Sequence, residues 1–204
     1  MKKTAKLLLV TMAVVLESCA GPNPNPGERT ADIFWYENKY DKAVNIIKPR
    51  AEQGLPWAQL RIGVAYQLGL GVEKDFSQAL MWYKKVAVQK AEGKWADGAL
   101  IGSIGKSGYF NQNSDALVAQ YQIANIYLKS DKKHEDIAKA YLWISYVSKI
   151  SDGKPIFYCC EFAGGRWITQ DMIQKVKSEA LSKITEKQKQ KSDEILQSWS
   201  PSHE

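Results

Sequence analysis

The sequence predicts an all-α chain of repeated helix pairs, and three observations carry that expectation. From residue 32 onward, apolar residues recur at spacings of three and four with almost no alternating runs. Residues 58–89, AQLRIGVAYQLGLGVEKDFSQALMWYKKVAVQ, align without a gap on residues 119–150, AQYQIANIYLKSDKKHEDIAKAYLWISYVSKI. Eight of these 32 positions are identical, where chance would give about two at ordinary composition. They are Ala58/Ala119, Gln59/Gln120, Ile62/Ile123, Tyr66/Tyr127, Asp75/Asp136, Ala79/Ala140, Trp82/Trp143 and Val86/Val147. Positions 58, 62 and 66 lie on one helical face, as do 75, 79, 82 and 86, so the buried face is what recurs. Finally, the tail from residue 169 reads as one long helix or two short ones with a polar second half, which a stacked array needs to close its last apolar face.

In chain order, MKKTAK and then LLLVTMAVVL give a basic start followed by about ten apolar residues, the pattern of an export signal. About 15 Å of helix is too short for a ~30 Å hydrocarbon core. The next residues, LESC, resemble the lipobox of bacterial lipoproteins: Leu16 stands three before Cys19 and Ser18 just before it, while Glu17 departs from the usual small or apolar residue. The resemblance implies cleavage after residue 18, lipid attachment at Cys19, and, with Ala20 following, retention at the periplasmic face of the outer membrane. A plain secretory signal with an incidental Cys19 is the alternative. Residues 19–30, with the stretch GPNPNPGE, are expected to be the lipidated cysteine and an extended tether.

The repeat domain is expected over residues 31–168, with one or two capping helices over 169–204. Each unit should be a helix, a turn of about seven residues and a second helix, with Asp75 and Asp136 placed to cap the second. Gly69 and Gly71 supply the turn of the first unit, whereas KSDKKHED lacks both glycines. The first unit, with Ala58, Gly63, Tyr66, GLGVEKD, Ala79, Trp82, Tyr83 and Ala87, resembles the Sel-one-like repeat family. The second keeps Ala119, Tyr127, Asp136, Ala140 and Trp143. The resemblance implies an α-solenoid related to the tetratricopeptide repeat, with YDKAVNIIKPRAEQG at 40–54 as the second helix of an incomplete first repeat.

Two stretches interrupt the period. SIGKSGYFNQNS at 103–114 reads as a loop, and SDGKPIFYCCEFAGGRW at 151–167 as an irregular excursion. The latter holds Cys159 and Cys160, whose Cα atoms a trans peptide holds about 3.8 Å apart, short for a disulfide. A vicinal disulfide, a reduced buried pair and a cross-link between chains all stay open.

The chain nominates no catalytic residue, no metal site and no cofactor. It has no GxSxG, HExxH, phosphate loop or CxxC, and its two histidines, His134 and His203, fall in a turn and at the end. The net charge of +6, or +4 without residues 1–18, comes with no dense Lys/Arg cluster, so no nucleic-acid partner is expected. Trp82 and Trp143 read as packing residues. A protein partner is expected instead, with Arg61, Val64, Gln122 and Asn125 as a partner-facing strip and Tyr109, Phe110 and Trp167 as contact aromatics in the interruptions. The family resemblance narrows this to an immunity protein that neutralises a phospholipase toxin of a type VI secretion system, with a scaffold for an envelope machine as the alternative.

Overall fold

The structure, a computed structural model, describes residues 26–89, 95–96, 109–110, 114–129, 134–158 and 166–201. Its helices are α1 (Pro26–Tyr36), α2 (Tyr40–Glu52), α3 (Pro56–Leu68), α4 (Phe76–Ala87), α5 (Ser114–Lys129), α6 (His134–Ser151), α7 (Gln170–Leu181) and α8 (Glu186–Ser198). Each packs on the next in sequence from α1 to α7; α6 also packs on α8, and α5 touches both α3 and α7. The result is an α-solenoid of antiparallel helix pairs. The segment expected to be half a repeat has a partner, since α1 pairs with α2. Helix α1 starts at Pro26, five residues before the expected start of the fold, with proline at a first-turn position where its missing N–H costs nothing.

The repeated face is the core. Ala58, Ile62, Ala79, Trp82 and Val86 are buried, as are Ala119, Ile123, Tyr127, Ala140, Trp143 and Val147. The first helices of the two units are buried nearly all round: every residue from Ala58 to Ala65 is buried in α3, and eleven residues are buried in α5. One repeated identity is polar and has its own reason. Gln59 Nε2 donates to the Ala51 carbonyl at the end of α2 at 3.1 Å, and Gln120 Nε2 donates to the Ala87 carbonyl at the end of α4 at 2.9 Å. Each glutamine thus bonds a carbonyl in the last turn of its preceding helix; the Ala51 carbonyl also accepts from Gly54 N–H at 3.0 Å.

The turn of the first unit closes as the glycines require. Gly69 (φ +76°) ends α3, with its N–H and that of Leu70 on the Ala65 carbonyl, and Asp75 N–H donates back to the Tyr66 carbonyl. Asp75 caps α4, accepting from Ser77 N–H at 2.7 Å and Gln78 N–H at 3.0 Å. The second unit differs: α6 begins at His134, so Asp136 lies inside its first turn rather than at the cap position.

The two interruptions meet. β1 (Trp95–Ala96) pairs antiparallel with β2 (Tyr109–Phe110), β2 pairs parallel with β3 (Ile156–Tyr158), and β3 pairs antiparallel with β4 (Arg166–Ile168). Phe110, Ile156 and Ile168 stand in one register row, and Ile156 and Ile168 are buried. Strands of two or three residues leave no alternation to read in the sequence, which is why both stretches look like loops there.

The tail forms two helices rather than one. Thr185 separates them with a capping box: its hydroxyl accepts from Gln188 N–H, and Gln188 Oε1 accepts from Thr185 N–H at 2.9 Å. Behind α8, Trp199 stacks edge-on against Trp143 at 4.9 Å and Tyr146 at 5.2 Å, closing the last repeat.

Candidate functional site

Where the first unit turns beside the second, the solenoid opens a groove of about 1110 Å³. One wall is the end of α3, the turn and the start of α4, with Tyr66, Gln67, Leu68, Lys74 and Phe76; the other is the end of α5 and the start of α6, with Ile126, Tyr127, Lys129 and Asp136. Two repeated identities, Tyr66/Tyr127 and Asp75/Asp136, line it. Leu68 and Phe76 are nearly half exposed, at 48% and 47%, although large apolar side chains usually lie inside. Lys74 Nζ sits 4.9 Å from the Phe76 ring centre and Lys139 Nζ 5.8 Å from that of Tyr127, so a cation covers one aromatic ring on each wall.

The expected strip is split by burial. Arg61 and Val64 are 3% and 2% exposed and face no partner, because α3 is enclosed on all sides. Arg61 is instead ion-paired to Asp32 of α1 and lies 5.3 Å from the Trp57 ring centre. Burial raises the Asp32 carboxyl above its ordinary value while Arg61 pulls it down; burial raises Asp115, in the first turn of α5, from 3.8 to about 6 against the same pull. Gln122 and Asn125 are half-buried. Gln122 Oε1 accepts from Gln67 Nε2 at 3.5 Å, a long bond, while Gln67 Oε1 accepts from the Tyr83 hydroxyl. Asn125 Nδ2 donates to the Tyr121 carbonyl of its own helix at 2.9 Å.

Of the expected contact aromatics, Tyr109 and Phe110 form β2, and Trp167, half-buried, lies in β4 opposite Phe157, so the sheet gathers all three. Cys19, Cys159, Cys160 and His203 lie outside the described residues. Among the described residues, no group of three or more His, Cys, Asp and Glu side chains is placed to hold a metal ion, and no helix is long and apolar enough to cross a membrane.

The groove's two walls coincide with two segments, residues 58–87 and 117–145, that match the family model of the Sel1 repeat. Each of the two units is thus similar to a Sel1 repeat. Its fold is similar to a crystal structure of a protective antigen present in uropathogenic Escherichia coli strains, which displays an SLR fold, with a TM-score of 0.55 at 21% identity. That likeness covers 85% of this chain and 29% of the antigen, so the chain spans under a third of its length. No curated protein matches this chain.

The groove residues were missed at the sequence level because Leu68, Lys74 and Phe76 belong to the turn, GLGVEKD and its flanks, where glycines dominate the reading. One signal was present: Leu68 and Phe76 fall outside the apolar faces 58/62/66 and 79/82/86 that face the core.

Proposed function

We propose that this Sel1 repeat protein is a non-enzymatic protein-binding module. The observation that supports it most is the groove between the two repeats, where Leu68 and Phe76 stay exposed beside half-buried Tyr66 while Ala58, Ile62, Ala79, Trp82 and Val86 are in the core. Apolar side chains held open on a rigid frame are what a protein partner can cover. Among the groove and strip residues described, Asp75 caps a helix, Asp32 is paired with Arg61 and Glu73 is exposed to solvent, and nothing resembles a nucleophile held by a base.

The finer reading rests on the sequence. LESC and the preceding basic and apolar segments favour export and lipid attachment at Cys19, with GPNPNPG as the tether, which puts the binding module at the periplasmic face of an outer membrane. A binder held there meets a lipase where it attacks, so the role proposed is immunity: neutralising an antibacterial type VI phospholipase by binding it. Deleting the gene should leave cells open to killing by their siblings, with complementation restoring protection. Survival of the deletion strain together with loss of a surface structure would favour the alternative, a scaffold for an envelope secretion, export or motility complex. Cys19→Ser should abolish palmitate labelling and release the protein from membranes.

A further inference from the structure

We propose that the groove between the α3–α4 and α5–α6 helix pairs receives an extended acidic segment with interspersed large apolar side chains, contributed by the protein partner. The inference rests on the protein-binding reading and adds the place and the chemistry.

Size comes first. At about 1110 Å³ the groove exceeds the 300–1,000 Å³ usual for enclosed small-ligand sites, and it is open to solvent between the two helix pairs, so a stretch of chain fills it better than a compact molecule does. The apolar part is next: Leu68, Phe76 and Leu80 on one wall and Ile126 and Tyr127 on the other offer seats for two or three partner side chains.

Charge sets the class of segment. The groove and its rim carry Lys74, Lys129 and Lys139 against Glu73, Asp75 and Asp136. The formal balance is even, but the groups are not equally open. The Asp75 carboxylate is occupied by the Ser77 and Gln78 N–H groups at the start of α4, and Asp136 has its own interaction. Lys129 is exposed and has no ion-pair partner among the described residues, and Lys74 and Lys139 lie over the Phe76 and Tyr127 rings. Among the described residues of the groove and its rim, Glu73 is the single exposed carboxylate against these three cations. A carboxylate arriving from a partner would pair with ammonium groups already standing over the rings that hold its apolar neighbours. A basic segment would meet three like charges.

The test uses the full-length protein in detergent micelles, panned against a displayed library of random dodecapeptides. Enriched peptides should combine two or more Asp/Glu with Leu, Phe, Met or Trp. Their binding should fall at least tenfold in the double variant Lys74→Glu/Lys129→Glu and in Phe76→Ser, and weaken as salt rises, while the helical signal stays intact. Enrichment of basic or uncharged peptides, or binding indifferent to both variants, overturns the proposal. The two readings separate on a captured natural partner: if Lys74→Glu/Lys129→Glu binds it as tightly as the parent, the groove assignment falls and protein binding stands.

Discussion

Gln59 and Gln120, one repeat apart, make the same bond: each side-chain amide donates to the terminal carbonyl region of the helix before it, Ala51 at 3.1 Å and Ala87 at 2.9 Å. The pair shows why a polar residue recurs within a buried face. Gln59 also accepts from Gln89 Nε2 at 3.0 Å, so the second residue beyond α4 is tied back to the repeat's first helix. Replacing Gln120 by Leu should cost about 1–3 kcal/mol, since the Ala87 carbonyl is left buried without its donor. Gln120→Glu should cost more at neutral pH, because a carboxylate in that place repels the carbonyl it faces. Urea unfolding followed by circular dichroism measures both, with Gln122→Ala, half-buried on the same helix, as a control expected to change little. Equal midpoints for all three would show that the bond contributes nothing.

The ion pair between Arg61 and Asp32 makes a second prediction. It joins α1 to α3 in the interior, with both side chains under a tenth exposed. Removing one partner of such a pair strands the other charge, so Arg61→Met should destabilise the fold by about 3–5 kcal/mol. The double variant Arg61→Met/Asp32→Leu should recover a large part of that loss, because both charges then leave the interior together. A double variant as unstable as the single one would mean that packing around Arg61, including its contact with Trp57, and not charge, governs the site.

These residues also mark how far the sequence could be read. Spacing exposes the repeated face because Ala58, Ile62, Ala79, Trp82 and Val86 pack within one unit at helical intervals. It puts Arg61 and Val64 outside because a one-sided helix is the ordinary case, whereas α3 is enclosed by α2, α4 and α5. The partner that makes a buried arginine tolerable, Asp32, lies 29 positions earlier and belongs to no local pattern. The sheet was hidden for a similar reason: its central pairing, Phe110 with Ile156, joins segments 46 residues apart. The groove needed the placement of the two helix pairs side by side, which two repeats 61 residues apart do not disclose.

Acid should stabilise this part of the fold within a limited window. Burial raises Asp115 from 3.8 to about 6 and raises Asp32 in the same direction, with Arg61 opposing in both cases. The folded chain therefore holds these protons to higher pH than the unfolded chain does, and stability from these groups falls as pH rises from about 4 to 6. Asp193 acts the other way: burial raises it, but hydrogen bonds from Tyr141 and Lys189 outweigh that and hold it below 3.8, so its contribution is lost only as pH falls through lower values. Urea midpoints taken from pH 4 to 6.5 should decline, and Asp115→Asn should flatten the decline. The effect of Asp115 is at most about 3 kcal/mol, and less where water reaches the carboxyl. An unchanged slope in the variant would remove Asp115 as its source.

Gly71 and Gly54 separate backbone strain from close approach. Both have positive φ, +70° and +90°, which an alanine reaches at a cost of about 1–2 kcal/mol. A Cβ at Gly54 meets nothing within 4 Å, whereas one at Gly71 falls 2.5 Å from the Tyr40 carbonyl carbon and 2.7 Å from the Asp41 nitrogen. Those atoms are backbone at the start of α2, so no rotamer change relieves the contact, and the turn of the first repeat must move away from the helix pair before it. Gly71→Ala should therefore cost clearly more than Gly54→Ala. It should also weaken peptide binding in the groove, whose wall continues from this turn through Glu73 and Lys74. Thermal melts and the peptide assay on the two variants check both halves. Equal melts would mean that the turn yields at no cost, and a destabilised Gly71→Ala with undiminished peptide binding would mean that the wall is held by α4 and its Asp75 cap alone.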